Sequence, residues 1–216
     1  LRISFKKITF SKTIYAEILK IGIPVLLFQL LASASMGSVN MASKVYGDYA
    51  VAAMGAVTRI MTVVTYVVFG FLKGFQPFAG YNYGAKQFKR LKKSIRLCMT
   101  WSTVFCVVAA LVLVICSTPI VSLFGMDTEM VTLASKALKL NAVLFITFGL
   151  QMVYASLYLA IGKSLIGSVL SLGRQGIFFF PLIILLPRIF GLSGVIWVQP
   201  MADLFTTIIT IIFAIK

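Results

Sequence analysis

The chain has 216 residues, of which 60% are hydrophobic and only 12% are charged, and its mean hydropathy is +1.03. Soluble globular domains are about half apolar and about a quarter charged, so this composition excludes an ordinary soluble domain and indicates a membrane protein. The basic residues behind the net charge of +15 lie mostly between apolar runs, which favours a role in membrane topology over nucleic-acid binding.

Six apolar runs are long enough to cross a bilayer, which takes about 20 helical residues. They predict an all-α integral membrane protein with six transmembrane helices, preceded by a cytoplasmic linker or amphipathic segment over residues 1–20. The predicted spans of the transmembrane lobe, 21–216, are 21–43, 49–72, 97–118, 140–162, 164–186 and 192–215. The chain starts at Leu rather than Met, so we expect it to be cut from a longer one.

The basic residues are distributed unequally between the two sides of the predicted bundle. Fourteen Lys and Arg fall on the side that holds both termini, and four fall on the other side. Under the positive-inside rule, this asymmetry predicts that both termini are cytoplasmic. Six of the fourteen form a run that we expect to be a topology-setting loop against anionic head groups: Lys86, Lys89, Arg90, Lys92, Lys93 and Arg96.

Three charged residues, Arg59, Arg174 and Asp203, lie about ten residues into their predicted spans, which places them near the middle of the membrane. An isolated charge is costly at that depth, so these groups should pair with one another or face a watery cavity. We therefore expect an intramembrane pair between Asp203 and either Arg174 or Arg59. The pair could act as a structural brace or as a coupling site.

Polar side chains recur at helical spacing in the first, fourth and sixth predicted spans. Such stripes either join helices by hydrogen bonds or line an aqueous path, and both alternatives stay open. Their amide, aromatic and Met groups suit an adaptable cavity for bulky amphipathic ligands. The candidate cavity residues are Gln29, Ser33, Met36, Asn40, Asn141, Phe148, Gln151, Tyr158, Gln199 and Asp203.

The sequence offers little support for catalysis. It contains no His, no Walker-type nucleotide loop, and only one carboxylate, Asp203, inside a predicted span. We therefore expect no enzyme, no catalytic residue and no bound cofactor, and any transport should draw on an ion gradient. Cys98, Cys106 and Cys116 fall in one apolar run and are interpreted as packing residues rather than metal ligands.

Several stretches, in order along the chain, resemble the multidrug and toxic compound extrusion (MATE) family of transporters. They are KIGIPVLLFQ (20–29), GFQPFAGYNYGAK (74–86), LAIGKS (159–164), SLGRQGIFFFPLIILLP (171–187) and GLSGVIWVQPMADL (191–204). The resemblance covers nearly all of residues 14–216 and is strongest to the MepA-like bacterial branch.

This resemblance implies one six-helix lobe, helices 7–12, of a twelve-helix transporter whose substrate cavity lies between two lobes. The implied activity is the export of cationic, often aromatic, drugs from bacteria in antiport with H⁺ or Na⁺, and the lobe is incomplete without its amino-terminal counterpart. The implied partners are the lipid bilayer of the plasma membrane, the amino-terminal lobe and cationic amphipathic small molecules, with no nucleic acid. The YNYGAK stretch would form a tight cytoplasmic turn below the cavity.

The sequence also departs from the family pattern. Ala32 and Gly149 stand near the positions where some branches carry cation-binding carboxylates, so the resemblance does not carry that site over. If the whole exporter is proton-coupled, the coupling carboxylate is expected in the amino-terminal lobe. The alternatives are a self-standing six-helix membrane protein that dimerises as a half-transporter, or a lipid or oligosaccharide flippase. A flippase would need an anionic-ligand cavity, so functional Arg59 and Arg174 would favour that alternative.

Overall fold

The computed structural model describes residues 11–125 and 127–215, and nearly all of them are helical. The α-helices are α1 (Lys12–Lys44), α2 (Asp48–Gly84), α3 (Phe88–Ile115), α4 (Ser117–Ser122), α5 (Thr128–Phe145), α6 (Phe148–Ala160), α7 (Ser164–Leu172) and α8 (Phe179–Ile215). A π-helical turn, Gly173–Ile177, joins α7 to α8. The prediction of an all-α membrane fold is confirmed. Residues 1–10 of the predicted linker and Lys216 lie outside the described residues.

Four helical stretches within the described ranges are long and apolar enough to cross a membrane: α1, α2, α3 and the continuous stretch Ser164–Ala214. Helices α5 and α6 are long and apolar enough only when counted together, and the pair bends by 51° at residues 146–147. The hydroxyl of Thr147 donates a hydrogen bond to the Leu144 carbonyl at 2.9 Å. A side chain bonded to the local backbone competes with the helical hydrogen bonds, which helps to account for the bend.

The stretch Ser164–Ala214 is interrupted at Gly191, whose φ of 59° and ψ of −140° are not helical. Residues 186 and 194 would lie about 12 Å apart along a straight helix. Instead, a Cβ added to Gly194 would overlap the carbonyl of Leu186, so the chain folds back on itself here. The hydroxyl of Tyr46, just after α1, donates a hydrogen bond to the Pro187 carbonyl at 3.2 Å. The fold-back therefore divides α8 at the predicted connection between the fifth and sixth spans.

The prediction that residues 86–96 form a loop is wrong. Helix α2 continues past residue 72 to Gly84, and α3 begins at Phe88, so only residues 85–87 connect them. Lys86 lies in this turn with a φ of 55°. The other five cations belong to the first turns of α3: Lys89, Arg90, Lys92, Lys93 and Arg96. Lys and Arg favour helix formation, so α3 begins well before its apolar segment.

Other helices also extend beyond the predicted spans. Helix α1 begins at Lys12, so residues 12–20 continue the first span rather than forming a separate segment. Helix α5 begins at Thr128, well before the predicted start at residue 140. The polar first turns of both helices lower the local hydropathy without interrupting the backbone hydrogen bonds, which explains why apolar runs underestimate their length.

The interior consists of two apolar clusters. The first is built around Val57, Leu138 and Val195, and the second contains Cys98 and Cys106 together with stacked phenyl rings of α5 and α6. Helix α6 approaches α3 closely at Gly149. A Cβ on this residue would lie only 3.1 Å from the Ser102 carbonyl carbon. Small residues allow such close approach between membrane helices.

Candidate functional site

A cavity of about 410 Å³ lies between α1, α2, α5, the π-helical turn and both parts of α8. Its walls combine thioether, aromatic, hydroxyl and amide groups. The lining residues are Phe28, Gln29, Ala32, Ser33, Ser35, Met36, Val39, Met54, Val57, Thr58, Met61, Thr62, Thr65, Tyr66, Phe69, Asn141, Arg174, Gln175, Phe179, Val195, Ile196 and Gln199.

Five of the predicted cavity residues line this cavity. Gln29, Ser33 and Met36 extend from α1, Asn141 from α5, and Gln199 from the second part of α8. Stripes from three predicted spans therefore meet at one cavity. Asn40, the last member of the α1 stripe, is exposed and is not among the lining residues.

The other predicted residues lie behind the cavity wall and hold helices together. Phe148 is fully buried and stacks on Phe145 at 5.0 Å between ring centroids. The hydroxyl of Tyr158 donates a hydrogen bond to the Phe213 carbonyl at 2.8 Å, which joins α6 to the end of α8. Gln151 is also fully buried. The polar stripe of the fourth predicted span therefore serves packing for most of its length.

Helix α2 also contributes to the cavity, which its sequence pattern had not led us to predict. Thr58, Thr62, Thr65, Tyr66 and Phe69 follow one face of this helix and line the cavity. Two of their hydroxyls donate to carbonyls one turn earlier, at 2.8 Å for Thr58 and 2.7 Å for Thr62. Their spacing of three or four residues is the signal that could have identified this face.

At the cavity wall, Arg174 forms a buried ion pair with Asp203, which lies behind the wall. The Arg174 Nε lies 2.5 Å from Asp203 Oδ1, and the side chains are 6% and 5% exposed. Gln199 Nε2 donates a second hydrogen bond to the same oxygen at 2.9 Å. The guanidinium also lies 4.5 Å from the centroid of the Phe148 ring. Each charge is thus compensated within the protein, as a charge at membrane depth requires.

The π-helical turn places Arg174 beside Asp203. Its defining bond runs from the Phe178 N–H to the Gly173 carbonyl at 3.0 Å, one residue longer than an α-helical bond. The hydroxyl of Ser35 in α1 lies 2.7 Å from the Gln175 carbonyl and can donate to it. A Cβ on Gly176 would lie 2.7 Å from Leu31 Cδ1, so this turn packs closely against α1.

The backbone of Asp203 is held by a second set of hydrogen bonds. Gln151 Nε2 donates to the Asp203 carbonyl at 2.9 Å and to Thr207 Oγ1 at 2.7 Å. Thr207 Oγ1 lies 3.0 Å from Thr147 Oγ1, at the bend between α5 and α6. The carboxylate and the backbone of Asp203 are therefore fixed from two directions, by the π-helical turn and by α6.

Arg59 takes no part in this arrangement. Its side chain is exposed, it does not line the cavity, and among the described residues no carboxylate lies within 4.0 Å of it. Of the two predicted partners for Asp203, the structure places Arg174 there. Functional Arg59 and Arg174 in an anionic-ligand cavity would have favoured the flippase hypothesis, but only Arg174 borders this cavity.

The cavity is polar without carrying an unbalanced charge. Arg174 is the only charged side chain among the described residues that line it, and Asp203 neutralises that charge. Met, aromatic and amide groups can adapt to flat apolar molecules and donate or accept hydrogen bonds at their edges. The arrangement therefore favours a bulky amphipathic ligand that is recognised by shape and polarisability.

The family model MatE matches residues 24–185, which is most of the chain. The chain belongs to the MatE family. The match begins in α1 and ends in the first part of α8, so it includes the π-helical turn and every cavity wall except the one formed by the second part of α8. The predicted resemblance is confirmed.

Named relatives agree with this assignment. A multidrug export protein MepA of Staphylococcus haemolyticus is 29% identical over 187 residues, which cover 87% of this chain and 41% of that protein. The solved structure of the MATE multidrug transporter DinF-BH is 33% identical in sequence, with a TM-score of 0.86 over 99% of this chain. A mutant of the Vibrio cholerae MATE transporter VcmN is 22% identical with the same TM-score over 98% of the chain, a likeness of fold.

The match covers only part of each relative. The chain spans about half the length of the proteins it resembles, 41% of MepA and 48% of DinF-BH. It is a multi-pass membrane chain of a transporter family, and the prediction that it is not an enzyme is confirmed by that family.

Proposed function

We propose that this chain is the carboxyl-terminal lobe of a secondary active multidrug exporter in the bacterial plasma membrane. The exporter moves cationic aromatic drugs out of the cell in antiport with H⁺ or Na⁺, and both termini of this lobe face the cytoplasm. The observation that carries the proposal is the 410 Å³ cavity of Met, aromatic and amide groups in a chain of the MatE family.

The exposure of α1 supports a second lobe as the partner. Only 6% of the residues in the most apolar 18-residue stretch of α1 are buried inside this lobe, against 33% in the corresponding stretch of α2. Gln29, Ser33 and Met36 on α1 line the cavity. Polar groups on a weakly covered membrane helix need a protein neighbour or water, which an amino-terminal lobe and a shared cavity would supply.

The amino-terminal lobe would also supply the coupling carboxylate. Ala32 lines the cavity and Gly149 packs against Ser102, so neither position offers an oxygen ligand or a proton acceptor. Asp203, the one buried carboxylate among the described residues, is engaged by Arg174 and Gln199. We therefore assign Asp203 to bracing this lobe, and H⁺ or Na⁺ coupling to the partner lobe.

Ethidium efflux from an exporter-deficient bacterium tests the two-lobe proposal. We expect efflux when this chain is expressed joined to an amino-terminal MatE-family lobe from its own coding region, and none from residues 1–216 alone. Efflux from residues 1–216 alone would contradict the proposal in favour of a homodimer. Normal membrane insertion of the joined form without efflux would contradict drug export itself.

A bulky substitution tests the cavity. Thr62→Trp in the joined form should fill part of the cavity and reduce ethidium efflux at least about tenfold, the scale on which a lost fit weakens substrate binding. Val63→Trp is the matched control, because Val63 is the next residue of α2, is 67% exposed and does not line the cavity. Equal efflux from the two variants, at equal membrane levels, would show that this cavity is not the drug site.

A further inference from the structure

A second groove lies between α5 and the start of the second part of α8, with a volume of about 270 Å³. Lys136 and Lys139 extend from α5, and Ser193 and Trp197 extend from α8. The two lysines are three residues apart, so they are neighbours on one helix face. The groove therefore combines two ammonium groups with a hydroxyl and an indole.

The remainder of the groove is apolar. Leu140, Val143 and Ile196 also line it, and Val143 is 54% exposed. Trp197 is 44% exposed beside them. The groove thus has a cationic end that continues into an apolar surface, which matches the head group and upper acyl chain of a phospholipid.

Neither lysine has a counter-charge in the described part of the chain. The ion pair between Arg174 and Asp203 is the only one found there. Glu129, the nearest carboxylate along α5, is seven residues before Lys136, or about 10 Å along the helix axis. Two adjacent cations repel each other, so an external anion between them would be stabilised.

The position of the two lysines along α5 favours the level of the phosphates. Lys136 and Lys139 directly precede residue 140, where the fourth predicted span enters the apolar part of the bilayer. Helical side chains tilt towards the amino end, so both lysines can extend back towards the membrane surface with their stems along apolar groups. Trp commonly marks the same interfacial level.

We propose that this groove binds one anionic phospholipid from the surrounding bilayer. The phosphate lies between the Lys136 and Lys139 ammonium groups, with the Ser193 hydroxyl as a further donor. An acyl chain follows Val143 and Trp197 towards the membrane centre. The opposite charge and the transition from polar to apolar lining select this occupant over a segment of the amino-terminal lobe.

Native mass spectrometry of the delipidated full-length protein, titrated with phosphatidylglycerol or with phosphatidylcholine, tests the proposal. We expect the first bound lipid to be phosphatidylglycerol, held more tightly than phosphatidylcholine. Lys136→Gln with Lys139→Gln should weaken phosphatidylglycerol binding about 30-fold, which is the effect of two lysines near a lipid surface. Lys136→Arg with Lys139→Arg keeps both charges and should retain the preference.

Lys44→Gln with Arg188→Gln is the matched control. Both residues are exposed and fall on the same predicted side of the membrane as Lys136 and Lys139, but neither lines the groove. Their substitution removes the same amount of charge. This control should bind phosphatidylglycerol like the unchanged protein. The proposal fails if the unchanged protein shows no preference for phosphatidylglycerol, which would indicate a protein segment in the groove. It also fails if the groove variant with two Gln substitutions and this control lose the preference equally.

Discussion

Two pairs of charged residues in the same lobe contrast in burial and in sign. Arg174 and Asp203 are buried, opposite in charge and 2.5 Å apart. Lys136 and Lys139 are exposed, equal in charge and unpaired within the described residues. Both pairs lie on helices that belong to membrane spans, but Arg174 and Asp203 fall within predicted spans, whereas the two lysines directly precede the predicted start of one at residue 140.

The difference identifies what each pair can do. Arg174 and Asp203 neutralise each other, and Phe148, Gln199 and Gln151 complete their surroundings. Such a pair fixes one arrangement of helices and leaves little charge for a ligand. The two lysines join no helices by an ion pair, because no carboxylate in the described part of the lobe pairs with them. They therefore indicate a partner outside it.

The largest expected effect comes from breaking the buried pair. Asp203→Asn removes the negative charge and leaves Arg174 buried beside a neutral amide, which should lower the free energy of unfolding by about 3–5 kcal/mol. SDS titration of the purified full-length protein measures this change. An Asn variant as stable as the unchanged protein would show that Arg174 finds another counter-charge.

A double variant separates the pair from its parts. Arg174→Met with Asp203→Asn removes both charges and should recover most of the lost stability, because a neutral pair leaves no buried ion. If the double variant is as unstable as Asp203→Asn alone, the loss comes from the Asp203 hydrogen bonds rather than from an unpaired arginine. Ethidium efflux by a refolded double variant would further place Asp203 outside the coupling step.

The sequence was sufficient for the architecture but not for the extent of the helices. Runs of apolar residues coincide with α1, α2, α3 and the stretch Ser164–Ala214, because lipid requires a long uncharged helix. The same criterion ended α2 at residue 72, although it continues through Pro77 to Gly84, and it assigned Lys89 to a loop. Hydropathy reports the solvent around a helix, and a helix can leave lipid without ending.

The site could be predicted only where polarity and periodicity coincided. Gln29, Asn141 and Gln199 stood out as amides in apolar spans, and they line the cavity. Thr58 and Thr62 did not stand out, since threonine is common in membrane helices. The choice of Arg174 over Arg59 depended on the π-helical turn and the fold-back at Gly191, whose geometry no local pattern specifies.

A smaller effect should follow when the aromatic ring beside Arg174 is removed. Phe148→Leu loses the cation–π contact and the stacking on Phe145, which should cost about 2 kcal/mol of unfolding free energy. Phe190→Leu is the matched control, because that ring is 62% exposed, and it should cost about 0.5 kcal/mol or less.

A double-mutant cycle isolates the contact with the guanidinium. In the Arg174→Met, Asp203→Asn background, the cation is gone and Phe148→Leu should cost less than it does in the unchanged protein. SDS titration of the four proteins gives the coupling energy. An equal cost in both backgrounds would assign the whole effect of Phe148 to apolar packing and would restrict the compensation of Arg174 to Asp203.

The smallest effect is expected at Arg59. Its side chain is exposed and unpaired in the described part of the chain, so Arg59→Gln should change the free energy of unfolding by about 0.5 kcal/mol or less. The same SDS titration measures it beside Asp203→Asn. A loss as large as that of Asp203→Asn would mean that Arg59 meets a carboxylate of the partner lobe. Arg59 would then resemble Arg174, whose charge is paired with a carboxylate inside the protein, rather than Lys136 and Lys139 in the groove.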